Sequence, residues 1–319
     1  MKSTLRTLVL VCSILAVQLS AQEPGSRFYV AGEGVAALVE QGLALPAPSG
    51  PDAAGFQDVP APSLRNVPND GYAQVTLAPW IESNGWRFQR GLARARYAAL
   101  PAGMAPLAAA EAFAFGVDAL IVPNAADVPA LGEMLRFLSA QPQPAWPPLA
   151  NIGVVDDGSP EVGEALNMLM RRNLLYRPVS GQEAGLDLIV RPGTDDFPRE
   201  TLANPSEFAA RVRERVGDER RLIRLFGTTT TLARLTGDGT RARLVLVSYS
   251  RNRRQQDVRV RLLGRYQPTR FAPFGAPPGS ELADVIAVDG GAATEFTIPA
   301  FSTIAIVEFS TEPRPALEP

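Results

Sequence analysis

The amino-acid sequence predicts two folded parts in order, an α/β domain followed by a domain made only of β-strands. Three observations carry this prediction. The middle of the chain alternates short apolar runs with a helical pattern, which is typical of an α/β fold. After Arg221 the apolar residues recur with a period of two, which is typical of half-buried strands. The first residues form an apolar leader that belongs to neither part.

The α/β prediction is centred on one strand–helix–strand unit. Asn151–Asp156 is an apolar run that ends in carboxylates, and Ser159-Pro160 then supplies a helix N-cap and a proline at the first helical position. Leu174–Val179 and Leu186–Val190 are predicted as the next two strands. Strands joined through a helix pair in parallel, so we predict a Rossmann- or flavodoxin-like domain.

Further elements of this domain follow from apolar spacing and from capping residues. Strands are predicted at 72–77, 94–100 and 117–122, and helices at 105–115, from the cap Asp127 to Leu138, and after the cap Asn204.

The C-terminal part is predicted to be a β-sandwich, because several strands follow one another with no helix between them. The predicted strands are Leu222–Phe226, Thr228–Leu235, Leu244–Tyr249, Val258–Leu263, Val285–Val288 and Ser302–Phe309.

These patterns divide the chain into five segments. They are a signal peptide at 1–21, a poorly ordered Pro/Gly/Ala-rich segment at 22–70, the α/β domain at 71–220, the β-sandwich at 221–311 and a tail at 312–319.

The leader indicates export. Lys2 and Arg6 precede an apolar stretch, and small residues end it before Gln22, as in signal peptides. The alternative interpretation is an uncleaved N-terminal anchor. We predict a secreted or periplasmic protein with no membrane-spanning segment after cleavage.

Composition excludes several kinds of chemistry. The chain has no histidine, and its single cysteine, Cys12, and single lysine, Lys2, both lie in the leader. The mature chain therefore lacks the side chains for thiol nucleophiles, Schiff bases, Ser-His triads and His- or Cys-bound zinc. Removing Lys2 and Arg6 leaves 29 basic against 33 acidic side chains, so nucleic acid is not an expected partner. We predict no cofactor and no metal site.

Two stretches contain candidate site residues. Trp80, Glu82, Asn84, Trp86 and Arg87 would suit a sugar-binding surface, because aromatic faces stack on sugars while polar groups bind hydroxyls. The alternative is that both tryptophans anchor a loop on the core.

Asp156 and Asp157 follow the central strand, where open α/β sheets bind ligands. They could bind a hydroxylated ligand, a metal or a water, or they could simply form the turn and cap the helix. Glu82 with Asp156 or Asp157 is the candidate catalytic pair for glycoside hydrolysis. Glu111, on the alanine-rich helix, is interpreted as an exposed or ion-paired residue, or else as an acid facing a pocket.

Two parts of the chain resemble the accessory region of multidomain glycoside hydrolases. Leu244–Ser250, Val258–Leu262 and Ile298–Phe309 resemble the small β-sandwich that closes many such enzymes. Ile152–Asp156, with the helix after it, and Leu186–Val190 resemble the amidotransferase-like domain of the β-galactosidase type. The resemblance implies an association with carbohydrate.

The departures from that family concern catalysis. Glutamine amidotransferases use a cysteine and a histidine, which the mature chain lacks. The residues between Gln22 and Asn151 make up about half of the roughly 250 residues of a (β/α)₈ barrel, so no catalytic barrel fits.

Three functions remain. The first is an exported, non-catalytic carbohydrate-associated protein. The second is a structural or assembly protein of the envelope that acts through protein contacts. The third is a hydrolase of glycosides that uses Asp and Glu.

Overall fold

The computed structural model describes residues 25–65, 80–250 and 253–311. The predicted leader, the strand predicted at 72–77 and the tail from 312 lie outside the described residues. No helix in the described ranges is both long and apolar enough to cross a membrane.

The first half of the chain contains short strands and helices in alternation. Its elements are β1 (Phe28–Val30), α1 (Ala36–Glu40), β2 (Leu45–Pro46), α2 (Pro51–Ala54), β3 (Gln57–Asp58), β4 (Ser63–Arg65), β5 (Trp80–Glu82), α3 (Gly85–Gln89), β6 (Arg94–Tyr97), α4 (Ala105–Phe115), β7 (Asp118–Ile121) and α5 (Val128–Ser139).

Five of these strands form a parallel sheet in the order β2-β1-β7-β6-β3. In the flavodoxin-like order, 2-1-3-4-5, the third strand lies beside the first. Here the strand beside β1 is β7, which comes last of the five along the chain. The strands β1, β6 and β7, each with buried residues, are central, whereas the exposed two-residue strands β2 and β3 form the edges. β4 and β5 form a separate antiparallel pair.

The segment predicted to be poorly ordered contributes to this sheet. Residues 25–65 form β1 to β4, α1 and α2. Their prolines are compatible with regular structure because Pro51 starts α2 and Pro46 ends an edge strand. Arg27 further ties this segment to the sheet through an ion pair with Asp118 of 2.6 Å.

A second, three-stranded parallel sheet follows. Its elements are β8 (Ile152–Val155), α6 (Pro160–Arg171), β9 (Tyr176–Val179), β10 (Leu188–Val190) and α7 (Pro205–Val216). The sheet order is β10-β8-β9, so α6 is the crossover between two neighbouring parallel strands, as the sequence predicts.

Two of the three predicted helix caps are confirmed. Ser159 Oγ accepts from the backbone N–H of Val162, and Asn204 Oδ1 accepts from that of Glu207. Asp127 precedes α5 but does not cap it with its side chain. Its carboxylate instead accepts from the backbone N–H of Gly103 at 2.7 Å, because the loop before α4 lies against it.

The C-terminal part contains eight strands in the residues that the structure describes. They are β11 (Ile223–Phe226), β12 (Thr231–Gly237), β13 (Arg241–Ser248), β14 (Gln255–Leu263), β15 (Tyr266–Pro273), β16 (Ala283–Val288), β17 (Ala293–Phe301) and β18 (Ile304–Thr311).

These strands form two antiparallel sheets. The inner sheet has the order β12-β13-β18-β15, and the outer sheet has the order β11-β14-β17-β16. Leu244 and Leu246 of β13 belong to a hydrophobic cluster shared with the outer sheet, whereas Val245 and Val247 belong to the cluster of the α/β part. The inner sheet is therefore covered on both faces. The prediction of an α/β part followed by a β-rich part is confirmed, and β15 and β17 are strands that it did not include.

A buried carboxylate joins the two parts. Glu111 of α4 is 0 % exposed, so it is not the surface residue that the sequence suggested, and it forms no ion pair within the described ranges. Its Oε1 accepts from Ser83 Oγ at 3.0 Å, the Asn84 backbone N–H at 2.8 Å and the Tyr249 hydroxyl at 2.6 Å. Its Oε2 accepts from Asn84 Nδ2 at 3.0 Å and the Tyr97 hydroxyl at 2.9 Å.

Both tyrosine hydroxyls donate to Glu111 in this cluster. Burial, together with the nearby negative charge of Glu111, raises the pKa of Tyr97 and of Tyr249 well above the usual value. Both hydroxyls therefore keep their protons. Tyr249 lies just after β13, so its bond to Glu111 links the inner sheet directly to α4.

We expect Tyr249→Phe to lower the free energy of unfolding by about 1–3 kcal/mol, because the buried carboxylate loses a donor. Glu111→Ala should cost more, about 3–5 kcal/mol, because several buried donors lose their acceptor. Urea denaturation of the purified full chain measures both changes.

Tyr176→Phe is the matched control. The Tyr176 side chain is also buried, but its hydroxyl has no hydrogen-bond partner among the described residues. Removing that hydroxyl should leave stability unchanged or raise it. Equal losses for Tyr249→Phe and Tyr176→Phe would contradict the assigned role of the Glu111 cluster.

Candidate functional site

The predicted sugar-binding segment is divided between two surroundings. Trp80 lies on β5, with the guanidinium of Arg171 3.7 Å from the centroid of its ring. Trp86 lies on α3, where the guanidinium groups of Arg87 and Arg90 are 4.2 Å and 5.2 Å from its ring centroid. Both tryptophans are half-buried and pack against the main hydrophobic cluster. Trp86 also lines an open cleft.

Two of the polar residues between the tryptophans, Ser83 and Asn84, are buried, whereas Glu82 is half-buried. Asn84 is 1 % exposed, and its Nδ2 donates to Glu111 and to the backbone oxygen of Pro60 at 2.9 Å. It holds the N-cap position of α3 without a side-chain capping bond. Asn84 therefore fixes the start of α3 and does not present its amide to a ligand.

The cleft beside Trp86, called the Trp86 cleft below, has a volume of about 390 Å³. It lies between α3 and β3 and is lined by Gln57, Asp58, Val59, Trp86, Arg87, Arg90, Gly91 and Leu92. Of the five residues predicted to bind sugar, Trp86 and Arg87 line it. Trp80, Glu82 and Asn84 do not.

Arg87 is the half-buried cation of this cleft. Its Nη1 donates to Asn84 Oδ1 at 3.2 Å. Burial lowers the pKa of its guanidinium, and the carboxylates of Glu164, Glu111 and Glu82 oppose that effect. An arginine in this state keeps its charge at neutral pH and offers N–H donors to an oxygen-rich ligand.

Arg90 connects the cleft to Asp156. Its Nε and Nη2 donate to the two oxygens of Asp156, both at 2.7 Å, and Nη2 also donates to the backbone oxygen of Ser159 at 3.0 Å. The two side chains are only 18 % and 14 % exposed, so solvent screens the pair weakly. Asp156 also accepts from the backbone N–H of Gly158 at 2.9 Å. Both of its oxygens are thus occupied within the protein.

Asp157 serves the turn and the helix start. Its carboxylate accepts from the backbone N–H of Ser159 at 2.9 Å and pairs with Arg199 at 2.8 Å. Hydrogen bonds from Ser159, and secondarily from Arg199, lower the pKa of Asp157 to about 2. Asp157 is therefore ionised across the physiological range and cannot act there as a general acid.

Glu82, the other half of the candidate catalytic pair, is half-buried on β5. Its Oε2 accepts from the hydroxyl of Ser63 at 2.8 Å on the neighbouring strand β4. The lining of the Trp86 cleft contains neither Glu82 nor Asp156 nor Asp157. Among the described residues, no group of three or more Asp, Glu, His or Cys side chains is arranged to hold a metal ion.

Three polar residues of the cleft were absent from the sequence-based set. Gln57 and Asp58 lie in the segment that was predicted to be poorly ordered, and Arg90 lies one helical turn after Trp86. The spacing between Trp86 and Arg90 was an available signal, since residues four apart share a helix face. α6 packs closely against the face of α3 that carries Trp86. A Cβ added at Gly163 would lie 2.7 Å from Trp86 Cζ3.

Comparisons with known proteins give loose similarities. No protein-family model matches the chain, and no curated protein does. The chain is similar to α-L-fucosidase isoenzyme 2 from Paenibacillus thiaminolyticus, with 11 % identity, 65 % of this chain and 57 % of that chain covered, and a TM-score of 0.48. It is also similar to Amy13B of Eubacterium rectale, with 11 % identity and a TM-score of 0.18. That comparison covers 68 % of this chain and 52 % of Amy13B. The chain thus spans little more than half the length of either protein, and at these TM-scores neither similarity establishes a shared fold.

We expect Asp157→Asn to change the pH dependence of stability. The folded pKa of about 2 lies below the ordinary 3.8, so the carboxylate stabilises the fold above about pH 4. That contribution is lost as the pH falls through 2. Because Asp157 and Arg199 are exposed, the effect should stay below about 1 kcal/mol.

Urea denaturation at pH 5 and pH 2 tests this expectation. The difference between the wild-type chain and Asp157→Asn should be present at pH 5 and largely lost at pH 2. Asp195→Asn, at an exposed loop position, is the control and should show no such difference. A difference for Asp157→Asn that persists undiminished at pH 2 would contradict the assignment.

Proposed function

We propose that this protein is an exported, non-catalytic carbohydrate-associated protein that binds a hydroxyl-rich ligand in the Trp86 cleft. The observation that carries the proposal is the lining of this cleft, which combines one tryptophan with two arginines, an amide and a carboxylate. Export rests on the leader at 1–21, whose pattern is that of a signal peptide.

The size and chemistry of the cleft support a sugar ligand. Its volume of about 390 Å³ falls within the ~300–1,000 Å³ of typical small-ligand sites. Trp86 supplies an apolar surface, while Arg87 and Gln57 supply donors and Asp58 supplies acceptors for hydroxyl groups. Asp58 is itself oriented by Arg96, with Nε at 2.5 Å from its Oδ1.

The candidate carboxylates support a binding role in preference to hydrolysis. Glycoside hydrolysis needs one carboxylic acid that gives a proton and one carboxylate across the bond from it. Asp156 is held by both nitrogens of Arg90, and Asp157 is ionised through its bonds to Ser159 and Arg199. Neither is poised to donate a proton.

The β-rich part fits the same proposal. We infer that the inner and outer antiparallel sheets are a β-sandwich of the kind that closes multidomain glycoside hydrolases. The hydrophobic cluster that contains residues of both sheets supports this inference. In this proposal the sandwich supports the α/β part and takes no part in chemistry.

Replacing the two tryptophans one at a time tests the proposal. The melting temperature of the full chain is measured against a panel of neutral oligosaccharides. A ligand at a hundredfold excess over its Kd should add about 2.7 kcal/mol of stability. We expect Trp86→Ala to abolish that shift, because Trp86 lines the cleft.

Trp80→Ala is the matched control, because Trp80 is also half-buried and stacked on an arginine but lies outside the cleft. It should lower the melting temperature of the free protein while keeping the ligand shift. Equal loss of the shift in both variants would contradict the assignment of the cleft. A flat response of folded wild-type protein to the whole panel would contradict carbohydrate binding.

A role in assembly is the second candidate, and one edge strand favours it. β16 lies at the edge of the outer sheet, with Val285 and Ile286 41 % and 52 % exposed. Exposed apolar edges can pair with another strand. The register shift between Ala283 and Ile286 opposes such pairing, which is why this function ranks second.

If β16 mediates self-association, sedimentation velocity of the wild-type chain should show a dimer that Ile286→Lys converts to monomer. A charge on an exposed edge blocks strand pairing without removing a core contact. Gln256→Lys, at an exposed residue of the interior strand β14 in the same sheet, is the control for added charge. A monomeric wild-type protein at all accessible concentrations would exclude this role for β16.

A further inference from the structure

A second cavity, separate from the Trp86 cleft, lies where the inner sheet meets the end of α4. We call it the arginine pocket. Its volume is about 180 Å³, and its lining includes Phe115, Gln143, Trp146, Arg234, Thr236 and Arg243. It has room for about six water molecules at ~30 Å³ each, which suits a ligand about the size of one sugar unit.

The strand register brings the two arginines together. In the β12–β13 pair, Arg234 lies opposite Val245 and Thr236 lies opposite Arg243. These four residues share one face of the inner sheet, because alternate residues of a strand point to the same side. It is the face that carries Val245 into the cluster of the α/β part. Both guanidinium groups are therefore held between the inner sheet and α4.

The positive charge in this region exceeds the negative charge. Arg243 is 6 % exposed, and its Nη2 donates to Glu308 at 2.6 Å while its Nη1 donates to the backbone oxygen of Pro142. Glu308 is shared with Arg270, which approaches it at 3.4 Å. One carboxylate thus serves two arginines and leaves nothing for Arg234.

Arg234 has no carboxylate partner among the described residues. Its Nη1 donates to the side-chain oxygen of Gln89 at 3.0 Å, with the amide in the orientation that also bonds to the backbone of Tyr176. Its guanidinium lies 5.0 Å from the ring centroid of Phe115. Its buried Nε has no hydrogen-bond partner, and neither has that of Arg243. Burial lowers the pKa of Arg234 to about 10, so the group stays charged at neutral pH.

An unpaired, largely desolvated cation is costly unless an anion accompanies it. The pocket walls favour a particular kind of anion. Trp146 and Phe115 provide aromatic surface, and Thr236 and Gln143 add neutral polar groups. A planar carboxylate matches the guanidinium geometry, and an organic body would contact the rings.

We propose that the arginine pocket binds a small organic carboxylate, with Arg234 as the residue that recognises its charge. An acidic sugar such as a hexuronate is the carbohydrate form of this ligand. The pocket shares no lining residue with the Trp86 cleft, so the proposal does not depend on sugar binding there.

Thermal unfolding of the full chain with sodium glucuronate, glucose, sodium acetate or sodium phosphate, at equal ionic strength, tests the proposal. Glucuronate in hundredfold excess over its Kd should raise the melting temperature of the wild-type chain by about 5 °C. Arg234→Met should abolish the rise and weaken glucuronate binding at least about tenfold in calorimetric titration.

The same variant separates binding from a structural role. Removing an unpaired buried charge should leave the melting temperature of free Arg234→Met unchanged or higher. Arg259→Met, at an exposed position on the outer sheet, should keep the full response to glucuronate. If acetate raises the melting temperature as much as glucuronate does, a carboxylate group alone is sufficient for binding. If glucuronate alone raises it, the pocket recognises the acidic sugar.

Four results would overturn the proposal. They are no response to either carboxylate, an equal response to glucose, an equal response to phosphate, and a glucuronate response that survives in Arg234→Met. Trp86→Ala should leave the rise in melting temperature with glucuronate intact. The arginine pocket and the Trp86 cleft can therefore be tested independently.

Discussion

The buried carboxylate of Glu111 is the interaction on which the arrangement of the molecule depends. It accepts five hydrogen bonds, all from neutral donors, so four residues from three separate parts of the chain must be in place. Two of those donors, Ser83 and Asn84, come immediately before α3. The helix that carries Trp86 and Arg90 is therefore positioned from the core, and the Trp86 cleft inherits its shape from the same cluster.

Local sequence patterns predicted much of the secondary structure. The Ser159-Pro160 start of α6 and the Asn204 cap of α7 need only neighbouring residues, and both occur as predicted. β15 was missed because its prolines and its bulge after Pro268 disguise an edge strand. β17 was missed although Phe296 and Ile298 alternate with polar residues, a pattern that could have been recognised. The order of the parallel strands could not be predicted, because it depends on pairing between distant segments.

The candidate site was predicted only in part, for a related reason. Aromatic and charged residue types drew attention to the stretch from Trp80 to Arg87, and the structure places Trp86 and Arg87 at a cleft. Their partners come from elsewhere in the chain. Arg90 and Asp156 are 66 residues apart, and nothing near either residue indicates the pairing. The arginine pocket is hidden in the same way, since it depends on the register of β12 against β13.

The inner sheet, covered on both faces, limits how this chain can have been assembled from parts. A strand such as β13 presents Val245 and Val247 to one cluster and Leu244 and Leu246 to the other. Neither the α/β part nor the outer sheet can be exchanged for an unrelated module without exposing one of these apolar faces to water. Each face of the inner sheet therefore constrains the substitutions that the part packed against it can accept.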